Sequence, residues 1–117
     1  MATALTEVRA IVRLEMLDRV IRALRERGVP RLTVTRVHAI GAGVDPAAAK
    51  LSVQESAEYA DKALVQFVCE RCDCEELTTL VAGTARTGRQ GDGIVYVVSV
   101  EGVTKIRTGT TGTAALR

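Results

Sequence analysis

Residues 88–109 read GRQGDGIVYVVSVEGVTKIRTG, and the fold turns on how this stretch is divided. Gly88, Gly91 and Gly93 allow tight turning and bring backbone N–H groups within reach of an anion such as phosphate. The run from 93 to 100, GIVYVVSV, is β-branched and aromatic and reads as a strand that is apolar on both faces. VTKIRT, 103–108, reads as a short further strand, in which Lys105 and Arg107, two apart, project from one face. A glycine-rich turn therefore opens one strand while a basic pair stands at the end of another, an arrangement suited to an anion. Taken alone, Gly-Asp-Gly before a strand serves tight turns everywhere, and a basic pair most often lines a solvated face.

The rest of the order follows outward from this stretch. CDCEELTTLVAGTARTG, 72–88, is predicted as a helix with Leu77, Leu80 and Val81 inward and Gly88 as its stop, preceded by the strand ALVQFVC, 63–69. Near the start, VRAIVRL, 8–14, puts Val8, Ala10 and Val12 on one face of a strand. EMLDRVIRALRERG, 15–28, repeats Leu17, Val20, Ile21 and Leu24 at helical spacing and ends at Gly28. LTVTRVHAI, 32–40, is a second strand; the only histidine, His38, lies in it and reads as structural. The order is β-α-β-β-α-β with a short C-terminal strand, the ferredoxin-like form of an α+β domain. Residues 1–117 make one such domain.

Residues 41–62, GAGVDPAAAKLSVQESAEYADK, fit no element. Two glycines, a proline, many alanines and no sustained period predict a flexible loop, and a loop this long in a compact domain is usually functional or disordered. Protease is expected to cut it first, near Lys50 or Lys62.

Composition bounds the function. A chain of 117 residues can bury about 65% of the surface its unfolded form exposes, enough for one core. A net charge of +2 with 26% charged residues is too small for a nucleic-acid groove or a membrane-binding patch. No run approaches the roughly 18 uninterrupted apolar residues of a membrane helix, and the N-terminus lacks a basic flank before an apolar run. The expectation is a cytoplasmic protein with no nucleic-acid partner and no direct membrane insertion. Cys69, Cys72 and Cys74 are odd in number and clustered, which suits reduced thiols rather than a disulfide framework. Cys-x-x-Cys-x-Cys offers an alternative function, soft-metal binding or redox sensing, although a closed zinc site wants four ligands. No nucleophile stands at a recognisable spacing from a base, so an enzyme is not expected.

The sheet implies company. Two helices cover one face only, whereas ALVQFVC and GIVYVVSV are apolar on both. Leaving the second face bare would expose more apolar surface than soluble monomers tolerate, so further copies of the chain are expected to cover it.

Over nearly its whole length the chain resembles the PII signal-transduction family, trimers of ferredoxin-like subunits that read nitrogen and energy state through adenine nucleotides. The resemblance lies in VRAIVRLEMLDRVIRALRERGV, LTVTRVHAIG, TARTGRQGDGIVYVVSV and KIRTGTTGTAAL, most specifically in TG-x-x-GDG followed by x-IRTG. It implies a nucleotide site between subunits, with Gly91, Asp92 and Gly93 as the nucleotide loop, Lys105 and Arg107 at the phosphates, and Thr33 and Val68 beside the adenine. The 41–62 segment corresponds to the T-loop that docks on targets, with Gly41, Gly43, Lys50, Tyr59 and Lys62 along it; the target implied is a membrane transporter or a metabolic enzyme. Two departures qualify the ligand. Ile94 stands where ATP-binding members usually carry a lysine, and losing one charge-assisted hydrogen bond costs about 1.5–3 kcal/mol, roughly ten- to a hundredfold in affinity. ADP or AMP is therefore expected to bind better than ATP. Gly43 stands where the family has a glutamine that holds magnesium and 2-oxoglutarate, and glycine offers no side-chain oxygen to a metal. Tyr59 lies about four residues from the register of the tyrosine that some members have uridylylated.

Overall fold

The computed structural model describes residues 4–41, 44–54 and 57–117; Gly43, one of the expected T-loop residues, lies outside them. Among the described residues, five strands and two α-helices are formed: β1 (Leu5–Arg13), α1 (Leu17–Glu26), β2 (Thr33–Ala39), β3 (Lys50–Ser52), β4 (Ala57–Glu70), α2 (Cys74–Ala85) and β5 (Gly93–Val100). The main sheet runs β2-β4-β1-β5, every pairing antiparallel, with β3 folded as a short hairpin on the start of β4. This is the ferredoxin-like order, in which β1 lies between β4 and β5 and is paired along both edges.

Period-two alternation decides which residues enter the core. Val8, Ala10 and Val12 of β1 and Ala63, Val65, Phe67 and Cys69 of β4 face the helices, meeting Val20 and Leu24 of α1 and Leu77, Val81 and Ala85 of α2. Leu80 packs against this cluster only in part. α1 stops where Gly28 turns to φ +86° and the N–H of Val29 returns to the Leu24 carbonyl at 3.1 Å, a reversal that favours glycine because an L side chain is strained there. α2 ends at Ala85, with Arg86 already extended, three residues before the stop expected at Gly88.

Two other expectations are corrected. The loop predicted over 41–62 is shorter, because β4 begins at Ala57 and carries Tyr59 and Lys62 as strand residues. The alternation in this segment is masked in sequence by Ala57, Ala60 and Ala63, which say little about which face is buried. The C-terminal strand predicted over 103–108 reduces to one bridge, between Thr104 and Thr111. Here the chain turns back on itself, with the Lys105 N–H on the Thr110 carbonyl and the Gly109 N–H on the Lys105 carbonyl. Lys105 and Arg107 thus belong to a tight turn, followed by a short 3-10 segment over Gly112–Leu116.

The face of the sheet away from the helices carries Ile11, Leu64, Val68, Ile94, Tyr96 and Val98 by register. Neither helix reaches it. Ile94 is 61% exposed.

Candidate functional site

The turn between α2 and β5 is built around one carboxylate. Asp92 accepts from the Thr87 and Gly88 backbone N–H groups, both at 2.8 Å, from the Thr87 hydroxyl, and from Nε of Arg13 at 2.9 Å. The Thr87 hydroxyl, the Arg13 guanidinium and the two amides hold it ionised far below the usual carboxylate range. Asp92 thus spends its oxygens inside the turn, so its contribution to a ligand is the shape of the turn. Gly88, Gly91 and Gly93 all have positive φ, and a Cβ on Gly93 would stand 1.7 Å from the Ile11 carbonyl oxygen. No other residue fits at 93, because β5 leaves the turn in direct contact with β1.

Behind the turn lie two buried cations, Arg13, which sequence reading did not select, and Lys62, which it placed on the flexible loop. Arg13, the last residue of β1, is 5% exposed. Besides Asp92, its guanidinium donates to Asp45 at 2.9 Å and to the Gln90 carbonyl at 2.7 Å. Lys62 stands opposite Arg13 in the ladder and donates to the Gly91 carbonyl. Burial, and then the charge of Arg13, push its ammonium pKa down. In sequence, Arg13 closes an apolar strand and looks like a solvated end; its partners lie 32 and 79 positions away. The one local hint was at Arg13, which follows the core residue Val12 in a strand; Lys62 follows Asp61 and carried no such signal.

The remaining expected site residues collect at the other end of the sheet. Thr33 begins β2, and Val68 pairs across β1 with Glu7, which pairs with Val98. Thr33 and Val68 line one groove of about 360 Å³ together with Gln66, Val103 and Leu116. Lys105 lies nearby, its ammonium on the Arg117 carbonyl oxygen at 2.7 Å, and Arg107 is exposed on the same turn. Gly93 sits opposite Val12, five rungs from the Glu7 level at which Val68 pairs, so Val68 stands about 17 Å along the sheet from the glycine turn at 3.4 Å per residue. The chain gathers Gly91, Asp92 and Gly93 in one turn as one half-site. Thr33 and Val68 form another, sharing a groove that Val103, at the start of the Lys105/Arg107 turn, also lines. The glycine turn and this groove are not brought together.

Of the expected loop residues, Gly41 begins the loop with φ +113° and Lys50 pairs with Asp61 at 2.7 Å. Tyr59 stacks on His38 with ring centroids 3.9 Å apart, which places it within the sheet rather than at a loop tip. The cysteines scatter. Cys69 is buried in the core with its thiol pKa raised by burial and its sulfur 3.4 Å from the Thr6 hydroxyl, Cys72 is exposed and Cys74 opens α2. Among the described residues, the one group with metal-ligand spacing is Glu70, Cys72 and Asp73, which takes a single cysteine and lies on the surface, so the three-thiol site is not formed.

Comparison with known proteins decides the family. Residues 5–110 match the family model for Nitrogen regulatory protein P-II. The chain belongs to the P-II family. It is 38% identical over 113 residues to Nitrogen regulatory protein GlnK2 of Haloferax mediterranei, covering 93% of this chain and 89% of that one. It is 32% identical over 110 residues to the P-II protein of Rhizobium meliloti, covering 94% and 98%. The structure of Arabidopsis thaliana PII bound to citrate superposes with a TM-score of 0.80 at 28% identity, covering 97% of this chain and 92% of that one. P-II proteins are regulatory signalling proteins, typically trimeric, and this chain carries their ferredoxin-like subunit.

Proposed function

We propose that this P-II chain forms a homotrimer that binds an adenine nucleotide between subunits, prefers ADP or AMP to ATP, and regulates a target protein through the loop that starts at Gly41. The observation that carries this reading is the separation of the two half-sites within one chain. A nucleotide that used both the glycine turn and the Lys105/Arg107 turn would have to take them from different subunits. Two further features support it. Ile11, Ile94 and Tyr96 form an apolar strip on the face the helices leave open, and Ile106, between the two cations, is 98% exposed, surface that soluble chains usually bury against a partner. Ile94 brings no cation to the outer phosphates, which weighs against the triphosphate.

The protein acts by binding, not catalysis, from the cytoplasm, on a membrane transporter or a metabolic enzyme. Among the described residues no helix is long and apolar enough to cross a membrane, so a membrane target would be met from its soluble face. Calorimetric titration with AMP, ADP and ATP tests the reading: ADP or AMP binds at least tenfold more tightly than ATP. Absence of binding by any of the three at millimolar concentration would overturn it.

A further inference from the structure

We infer that Arg13 is a positioning residue that shapes the glycine turn from behind and, through Asp45, joins that turn and the start of the loop into one mechanical unit. The inference rests on the nucleotide-binding reading only for what the unit transmits; the joint itself belongs to the free chain.

Arg13 closes β1, a strand paired with β4 on one edge and, as far as Val12, with β5 on the other. Its guanidinium reaches two segments that have no regular structure of their own. Nε and one Nη serve the turn, at Asp92 and the Gln90 carbonyl; the other Nη serves the loop, at Asp45. A guanidinium fork can hold these directions at once, whereas a lysine ammonium offers a single point. Lys62 donates to the Gly91 carbonyl beside it, so Asp45 and Asp92 lie beside two cations whose burial leaves them little solvated by water. Losing Asp45 from this group would leave positive charge uncompensated, which holds the loop in place.

Asp45 passes the constraint outward. Its carboxylate accepts the Ala47 N–H at 2.9 Å and its carbonyl accepts the Ala48 N–H at 3.0 Å, while the Val44 N–H returns to Gly41 at 3.2 Å. The Gln90 side chain adds a second tie to the Val44 carbonyl at 3.4 Å. Fixing Asp45 therefore fixes the direction in which the chain leaves Gly41. An anion that draws the amides of the 88–93 turn toward itself must move Asp92 and Gln90, and Arg13 carries that movement to Asp45. The loop then responds to a ligand that it need not touch.

Hydrogen exchange and limited trypsin cleavage at Lys50, with and without ADP, test the joint in wild type, Asp45→Asn and Arg13→Lys. In the nucleotide-free protein, Asp45→Asn is expected to speed exchange of the Val44, Ala47 and Ala48 amides at least tenfold and to raise cleavage at Lys50. ADP affinity stays within threefold of wild type, but ADP no longer slows cleavage. Arg13→Lys loosens the same amides and those of Gly88 and Gly91 as well, and weakens ADP. Unchanged exchange in nucleotide-free Asp45→Asn overturns the joint, and loosening with ADP protection intact overturns its role in transmission. If wild type binds no adenine nucleotide, the nucleotide reading falls, while the comparison of nucleotide-free proteins still decides the joint.

Discussion

The turn at 87–93 and the turn at 105–112 both carry a Thr-Gly pair, further glycine and basic residues, and they are built in opposite ways. The first is organised by buried charge: Asp92, Arg13 and Lys62 satisfy one another and the turn's backbone within a single chain. The second is organised by backbone hydrogen bonds and the Thr108 and Thr110 hydroxyls, with no buried charge behind it among the described residues, and holds Ile106 and Arg107 outward. One turn is finished when the chain folds. The other presents an apolar side chain and a cation to surroundings that a lone chain does not supply. The contrast teaches that a composition suited to anions says little about whether a site is complete, because completion depends on what lies behind the turn.

The comparison breaks most visibly at glycine. Gly93→Ala is expected to cost about 3–5 kcal/mol, combining strain at positive φ with overpacking against backbone that cannot move aside. Gly109→Ala also meets positive φ, but nothing lies within 4 Å of the added methyl, so its cost is about 1 kcal/mol. Thermal unfolding of the two variants measures the difference; equal losses would show that both turns are equally open.

Arg107→Ala sharpens the contrast from the other side. Removing an exposed cation leaves stability within about 0.5 kcal/mol of wild type while weakening ADP roughly ten- to a hundredfold, the scale of a lost charge-assisted hydrogen bond. Calorimetry paired with thermal unfolding separates the two effects. A variant that unfolds early but binds normally would assign Arg107 to the fold.

Assembly comes next. Ile106→Asp places a charge where the second turn is expected to meet a partner. Light scattering of wild type should give three times the 12.5 kDa chain mass, and the variant a smaller particle. A wild-type monomer at micromolar concentration would remove the reason for treating the second turn as incomplete.

The smallest effect is on acid stability. Asp92 and Asp45 both titrate below their ordinary value in the folded chain, Asp92 through the Thr87 hydroxyl and Arg13, Asp45 through Arg13 and the Ala47 amide. An unfolded carboxylate titrates near about 3.9, so the stabilisation from a depressed folded pKa is complete above that pH and fades as pH falls toward the folded value. The cation that both groups share, Arg13, has its pKa raised by its hydrogen bonds to Asp92 and Asp45 and stays charged throughout this window. The difference in unfolding temperature between wild type and Asp92→Asn should therefore be constant from about pH 7 to 5 and shrink only below about pH 4. A difference that shrinks already at pH 6 would mean that Asp92 is not held by these donors.

Much of this was legible in the sequence because it is local. Val8, Ala10 and Val12 alternate with period two, Val20 and Leu24 recur with the helical period, and Gly28 stands where only a glycine turns easily; each pattern is set by backbone geometry within a few residues. GRQGDG announced the turn for the same reason. The extension of β4 back to Ala57 was hidden because alanines show no preference for either face, and the strand expected over 103–108 failed because the segment turns back and bonds to itself, Lys105 to Thr110 and Thr104 to Thr111. The sequence by itself determined the family, the element order and the core. Only the tertiary structure decided that Arg13 and Lys62 are buried, that Asp45 and Asp92 meet on one guanidinium, and that the glycine turn lies five rungs from Val68. Those are pairings between residues 29 to 79 positions apart, and their energies depend on burial and distance, quantities that exist only once β1, β4 and β5 have been laid side by side.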